Sequence, residues 1–157
     1  MSTRLLNKIM ILGAVAGMRT MMAPALLSSA LKKRPSKRLR RSNLRFMQSG
    51  STATVFKLLA AGELIGDKLP MTPKRTEVGG LIGRGLSGAL VGATLAKTQK
   101  QSPLAGASAG LSSALVSAYT FYLLRKKLSE ETKLPDILWA GSEDVLALKI
   151  GKSALQK

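Results

Sequence analysis

Apolar residues in this chain form long runs that are separated by short, strongly charged segments. Residues 104–124 contain no charged side chain, and residues 78–96 contain one, Arg84. At a rise of about 1.5 Å per residue, a helix of about 20 residues crosses the hydrocarbon core of a bilayer. Both runs therefore predict transmembrane helices. The second run ends in aromatic residues followed by Arg125-Lys126-Lys127, which is typical of a membrane interface.

A third long run extends over residues 5–31, with Arg19 as the charge in its interior. We expect it to cross the membrane as well. Pro24 cannot donate to the Thr20 carbonyl, so a kink is expected just after Arg19, and the freed carbonyl needs another partner. A cleavable signal peptide is the alternative reading, but a charge between its apolar core and the cleavage site is unusual.

Two further apolar segments, residues 52–65 and 136–150, are short for a full crossing. We interpret them as half-spanning or interfacial helices. The pattern as a whole predicts an all-α, polytopic helical membrane protein. It has about three full spans and two short helices, and residues 1–157 form a single membrane domain.

The distribution of Lys and Arg predicts an orientation, because cytoplasmic loops collect basic residues. We expect the first, third and fourth segments to cross, which places the loops at 32–45, 67–75 and 125–133 in the cytoplasm. The amino terminus then lies outside and the carboxyl terminus inside. Two alternatives remain: all five segments cross, or a break in the first segment returns the amino terminus to the inside. Under the preferred scheme the basic residues left outside are Arg4, Lys8, Lys97 and Lys100.

Small residues recur every four positions in the two cleanest spans. Such a stripe lets two helix backbones approach closely, which replaces the hydrophobic drive that lipid does not supply. Residues 78–124 are therefore expected to form a tight helical hairpin. A gate or pore wall is the weaker interpretation. The predicted packing residues are Gly80, Gly88, Gly92, Gly106 and Gly110.

Six ionisable residues lie within or at the ends of the apolar segments: Arg19, Glu63, Asp67, Arg84, Glu143 and Asp144. Each costs about 2.5 to 3.5 kcal/mol at a helix centre, so they should face one another or a water-filled cavity. Two interpretations stay open. The charges form ion pairs that lock a helical bundle, or they line a path for a small solute or ion.

The long basic segment between residues 32 and 45 is the cytoplasmic marker in this scheme. It serves as an orientation signal or as a contact for anionic lipid headgroups, at about 1 kcal/mol per basic residue near an anionic surface. The candidate contact residues are Lys32, Lys33, Arg34, Lys37, Arg38, Arg40 and Arg41.

Composition narrows the chemistry. The chain has a formal net charge of +17 but no Cys and no His, which excludes thiolate or imidazole zinc sites and Ser-His-Asp triads. We expect no catalytic residues, no metal and no cofactor, although acid–base chemistry on a lipid by the acidic residues stays open. Nucleic-acid binding is not expected, because the basic residues cluster between apolar runs without interleaved aromatics.

Three strings resemble the bacterial membrane-protein family catalogued as domain-of-unknown-function family 4126. They are Gly17-Met18-Arg19-Thr20 with Ala23-Pro24-Ala25-Leu26, then Glu63 to Pro70 with Thr72 to Glu77, and finally Glu143-Asp144 with Leu146-Ala147-Leu148. The resemblance covers most of the chain, apart from the basic insertion at 32–45. It implies a helical membrane protein with no assigned activity, substrate or cofactor.

We therefore expect an integral protein of the bacterial cytoplasmic (inner) membrane, in contact with the lipid bilayer. The first hypothesis is a small transporter or channel-like protein that uses the membrane-embedded charges. It would be a homo-oligomer, because three crossing helices rarely enclose a pathway alone. The alternative is a non-transporting scaffold or anionic-lipid-associated protein with structural ion pairs.

Overall fold

A computed structural model describes residues 1–66, 78–131 and 136–156. The regular structure within these ranges is helical, without strands, which confirms the all-α prediction. A short 3-10 helix, Asn43–Gln48, lies between α2 and α3. The α-helices are α1 (Thr3–Met18), α2 (Met22–Lys33), α3 (Gly50–Gly66), α4 (Val78–Thr98), α5 (Pro103–Glu131) and α6 (Asp136–Gln156).

The first apolar run is two helices, so the prediction of one continuous span over residues 5–31 is wrong. Helix α1 ends at Met18, and Arg19 adopts an extended backbone with φ −140° and ψ 115°. Pro24 is the third residue of α2, where its missing N–H leaves no intrahelical bond unmade. The expected interruption after Arg19 is present, and it divides the run into helices of 16 and 12 residues.

The break reverses the chain direction, so α1 and α2 form a helical hairpin with residues 19–21 at its tip. Ile9, in the first half of α1, lies beside Gly92 in the second half of α4. Arg38, which follows α2, donates from Nη1 to the carbonyl of Thr98 at the end of α4, at 2.6 Å. The start of α1 and the end of α2 are therefore at the same end of α4.

Helices α4 and α5 pack as an antiparallel pair along their small residues. A Cβ at Gly92 would collide with the backbone of Gly106, and one at Gly88 would collide with the backbone of Gly110. The backbones approach each other because no side chain separates them. The predicted Gly80 lies half-buried in the first turn of α4.

Helix α1 completes a three-helix core with α4 and α5. A Cβ on Gly13 would lie 2.7 Å from the Gly110 carbonyl oxygen, and Gly17 contacts the backbone of Ala114 as closely. Ser117 donates to the Ala14 carbonyl at 2.8 Å, and a second serine of α5 makes a similar bond to α1. The four-residue spacing of the two glycines in α1 was the sequence signal for this third contact.

The remaining helices pack around this core, and α3 and α6 are longer than predicted. Helix α3 lies against α2, with Gly50 beside the Lys32 side chain, and α6 lies in the hairpin formed by α1 and α2. In α6, Gly151 contacts both Val15 and Leu26. Helix α6 continues to Gln156, beyond the predicted end at 150, because its apolar and small residues carry on past that point.

Among the described residues, two helices, α4 and α5, are long and apolar enough to cross a membrane, with mean hydropathies of 1.3 and 1.2. This is weak evidence for membrane association. The third expected span does not qualify because the break at Arg19 leaves each half too short.

The orientation scheme expected from the sequence is contradicted. It placed the 32–45 loop and the turn that holds Lys97 and Lys100 on opposite sides of the membrane, but the bond from Arg38 to Thr98 brings them together. Arg4 and Lys8 also lie at this end, where they share a cavity wall with Ala154 of α6. The scheme failed because the first segment turns back. We call this end the basic end; it comprises Arg4, Lys8, residues 32–49, residues 97–102 and residues 149–156.

Candidate functional site: buried charges and a basic end

The tip of the α1–α2 hairpin is bound by a carboxylate from another helix. Thr20 and Met21 donate their backbone N–H groups to the two carboxylate oxygens of Glu63, each at 2.8 Å. The first N–H groups of a helix have no partner within it, and a negative charge near that terminus is favourable. Glu63, near the end of α3, therefore caps α2 from outside.

Arg19 is buried at the same tip and joins α1 to α6. It is 2% exposed, and its Nε donates to Oδ1 of Asp144, whose side chain is 18% exposed. An arginine in this position would be very costly without a partner. The structure therefore places one predicted arginine against one predicted carboxylate, across 125 positions of sequence.

The carbonyl freed by Pro24 also has a partner. Ser87 of α4 donates its hydroxyl hydrogen to the Thr20 oxygen. Three other helices therefore supply hydrogen-bond partners for the polar groups at the break: α3 through Glu63, α4 through Ser87 and α6 through Asp144. Ser87 was not among the predicted site residues, because nothing in its sequence neighbourhood distinguishes it from other small residues of α4.

The other predicted charges lie nearby but in different surroundings. Arg84 is buried in α4, one turn before Ser87. Glu143 is 7% exposed and lies in the wall of a crevice of about 310 Å³ that Arg125 also lines. Asp67 lies outside the described residues. Apolar side chains complete the crevice: Phe121, Leu124, Leu128 and Leu146.

The acidic residues are confined to two short stretches of the sequence, and the fold places those with described side chains around the hairpin tip or next to it. All eight lie between residues 63 and 77 or between 130 and 144, and residues 1–62 contain none. Those with described side chains, Glu63, Glu143 and Asp144, lie around the hairpin tip or next to it. Within the described ranges, no three acidic side chains are grouped so that they could hold a metal ion.

The segment at 32–49 is folded against the bundle. Leu39 and Met47 are fully buried, and Ser36 donates its N–H to the side-chain oxygen of Gln48 at 3.0 Å. Together with the bond from Arg38 to Thr98, these contacts fix the segment at two points. The sequence carried this signal in its isolated apolar residues, which a plain solvated loop does not need.

This fold leaves the basic side chains on the outside. The candidate lipid-contact residues, from Lys32 to Arg41, are all exposed. Arg40, Arg41 and Arg45 line one open groove of about 820 Å³. Among the described residues, none of these three guanidinium groups pairs with a carboxylate. The groove was not predicted, because the position of Arg45 depends on the 3-10 helix that Ser42 caps.

Comparison with known proteins identifies one family. The family described as "Domain of unknown function (DUF4126)" matches residues 7–155, nearly the whole chain. Searches of the curated proteins and of the solved structures found no similar protein. The resemblance noted in the three sequence strings is therefore confirmed at the level of the family.

Proposed function

We propose that this chain, which belongs to the DUF4126 family, is a multi-span membrane protein whose basic end binds anionic lipid headgroups. The family description assigns no activity. The protein's buried charges serve to hold the helices together. The observation that carries this proposal is the folded basic end, whose described residues include no Asp or Glu.

A bilayer environment is supported by the distribution of polarity. The interior combines an apolar core, which includes Ile9, Leu12 and Val91, with the buried Arg19 and Arg84, and large apolar side chains are also exposed on α1 and on α3 to α6. Exposed apolar surface of this extent needs an apolar partner, which a bilayer supplies. The exposed side chains include Met10, Leu58, Val78, Leu86, Leu104, Val116 and Val145.

The basic end is assigned to the cytoplasm by the positive-inside rule. Both chain termini then lie on that side, and the helices pass alternately away from it and back. This is the orientation that the broken first segment left open. A strong excess of Lys and Arg on one side supports the cytoplasmic (inner) membrane as the location.

Lipid binding is supported by the excess of basic residues at the basic end and by the fixed conformation of the segment that carries them. Basic residues near an anionic membrane contribute about 1 kcal/mol each, and this end has no acidic residue to offset them. The side chains also project from a segment held by buried Leu39 and Met47, so little order has to be gained on binding. A signal that only sets orientation does not require this folding.

A lipid-dependent unfolding measurement tests the proposal. The full chain in mild detergent is titrated with phosphatidylglycerol or with phosphatidylcholine, and the thermal midpoint is recorded at low and high salt. Binding to the folded state raises the midpoint, so we expect an increase with phosphatidylglycerol that disappears at high salt. Equal midpoints with the two lipids at low salt would contradict the proposal.

One observation favours a second function, transport of a small anion. Transporters often bind anionic groups at the N-terminus of a broken helix within the membrane, and here Glu63 occupies such a terminus. A solute anion would replace this carboxylate. The close glycine contacts among α1, α4 and α5 fill the centre of the described bundle, so the path would lie between copies in a homo-oligomer.

Flux measurements test this second candidate. Proteoliposomes containing the full chain are assayed for uptake of chloride, acetate and protons. Glu63→Gln should change the flux while the protein remains folded, and light scattering in detergent should show more than one copy. A flux that equals that of empty liposomes for the unsubstituted chain would remove this candidate.

A further inference from the structure

We propose that the groove lined by Arg40, Arg41 and Arg45, here called the arginine groove, binds a phospholipid headgroup that carries two phosphates. This inference rests on the proposed function and names its site. The other groove-lining residues are Ser42, Asn43, Phe46, Gln48, Ser49 and Thr52.

The lining chemistry matches phosphate. A guanidinium group donates to two oxygens of a phosphate at once, and charge-assisted bonds of this kind are about twice as strong as neutral ones. Serine, threonine and amide side chains in the same wall add uncharged hydrogen-bonding groups. Three guanidinium groups without a neighbouring carboxylate exceed what one phosphodiester charge requires, and they match two phosphates better.

The groove walls are ordered before any ligand binds. Ser42 accepts a hydrogen bond from the Leu44 N–H at 3.2 Å, which fixes the start of the 3-10 helix. Met47 in that helix is fully buried, and the side chain of Gln48 is held by the Ser36 N–H. The arginines therefore project from a fixed backbone, which lowers the cost of ordering on binding.

The surroundings favour a lipid over a free phosphate compound. Thr52 lies in the groove wall and in the first turn of α3. Val55 and Leu59, three and seven residues later, lie on the same helix face and are exposed. A headgroup in the groove can therefore lay an acyl chain along this apolar face, an interaction that a soluble phosphate cannot make.

The test compares two triple variants that remove equal charge. R40Q/R41Q/R45Q removes the three guanidinium groups of the arginine groove. K33Q/R34Q/K37Q removes three exposed charges of the same segment that do not line the groove. The full chain in mild detergent is titrated with cardiolipin, and lipid binding is counted by native mass spectrometry. We expect the affinity to fall about 100-fold in the groove variant, which loses direct charge-assisted bonds to phosphate, and about tenfold or less in the control, which loses only longer-range attraction.

The outcomes separate the two proposals. Equal losses in both variants overturn the groove and leave the proposed function standing, because the whole basic end then acts diffusely. Unchanged cardiolipin binding in both variants contradicts both proposals. Titration with inorganic pyrophosphate distinguishes the source: binding as tight as that of cardiolipin would overturn the lipid assignment. Thermal midpoints are recorded for each variant, and the single variant Arg41→Gln replaces the triple variant if the latter unfolds.

Discussion

Arginine occupies two contrasting regions of this protein. Arg19 is buried at the hairpin tip and bonded to Asp144, whereas Arg40, Arg41 and Arg45 are exposed at the basic end, without a carboxylate. The same side chain therefore connects helices in one region and faces outward in the other. The difference follows from where the acidic residues lie, since all of them are confined to the segments 63–77 and 130–144.

Charged side chains therefore have different roles in the two regions of this fold. At the tip, the Arg19 side chain, the Thr20 and Met21 N–H groups and the Thr20 carbonyl meet partners from other helices, so polar and charged groups join α1 and α2 to α3, α4 and α6. At the basic end, the buried side chains of Leu39 and Met47 hold the segment against the bundle, and its basic side chains remain exposed. Substitutions in the two regions should therefore have different consequences.

The largest effect is expected for Arg19→Leu. It leaves the Asp144 carboxylate in the bundle without its guanidinium partner, and breaking a buried pair in this way costs about 3–5 kcal/mol of unfolding free energy. Unfolding in detergent, followed by circular dichroism, measures the change. Arg41→Leu is the matched control and should leave stability unchanged, because its side chain is exposed.

The double variant R19L/D144L sharpens this comparison. Replacing both partners by apolar residues removes the uncompensated charge, so most of the lost stability should return. If the double variant is as unstable as Arg19→Leu alone, the ion pair is not the reason for the loss.

The next effect is expected for Glu63→Ala. It removes the acceptor of two backbone N–H groups at the start of α2, and hydrogen bonds to charged groups contribute about 1.5–3 kcal/mol each. The same unfolding assay should show a loss close to the lower figure, because water or lipid headgroups can replace part of the interaction. Glu63→Gln keeps one acceptor oxygen and should lose less. A variant Glu63→Ala of unchanged stability would show that the cap does not hold the tip.

Glycine substitutions are expected to have effects of comparable or smaller size, with a sign that depends on position. Gly92→Ala places a Cβ against the backbone of Gly106 and should destabilise by about 1–3 kcal/mol. Gly62→Ala, in α3, meets no atom within 4 Å and should stabilise by about 0.5–1 kcal/mol through helix propensity. Equal effects of the two substitutions would contradict the close packing of α4 on α5.

Local pattern was sufficient for part of the fold. The apolar runs and the four-residue spacing of glycines in α4 and α5 predicted both helices and the faces that meet, because helix periodicity alone determines them. Pro24 and Arg19 also predicted an interruption at the right place. The reversal of the chain there was one of the alternatives, but the sequence could not distinguish it from a kink, since a kink and a turn begin with the same missing hydrogen bond.

The candidate sites depended more on distant contacts. Arg19 and Asp144 were both candidates, but their pairing is set by the packing of α6 against α1. Glu63 was expected to face another charge or a water-filled cavity and instead binds backbone N–H groups, which every helix start has and no sequence pattern identifies. The orientation scheme failed because charge counting assumed that the first segment crosses once.

The side of the membrane on which each turn lies tests the account most directly. The chain has no Cys, so single cysteines can be introduced by Lys37→Cys in the basic segment, Gln99→Cys after α4 and Lys126→Cys near the end of α5. Labelling of intact cells and of inverted vesicles with a membrane-impermeant maleimide reports the side. We expect the first two to react from the cytoplasm and the third from the opposite face. Reaction of Lys37→Cys and Gln99→Cys from opposite faces would contradict the common basic end.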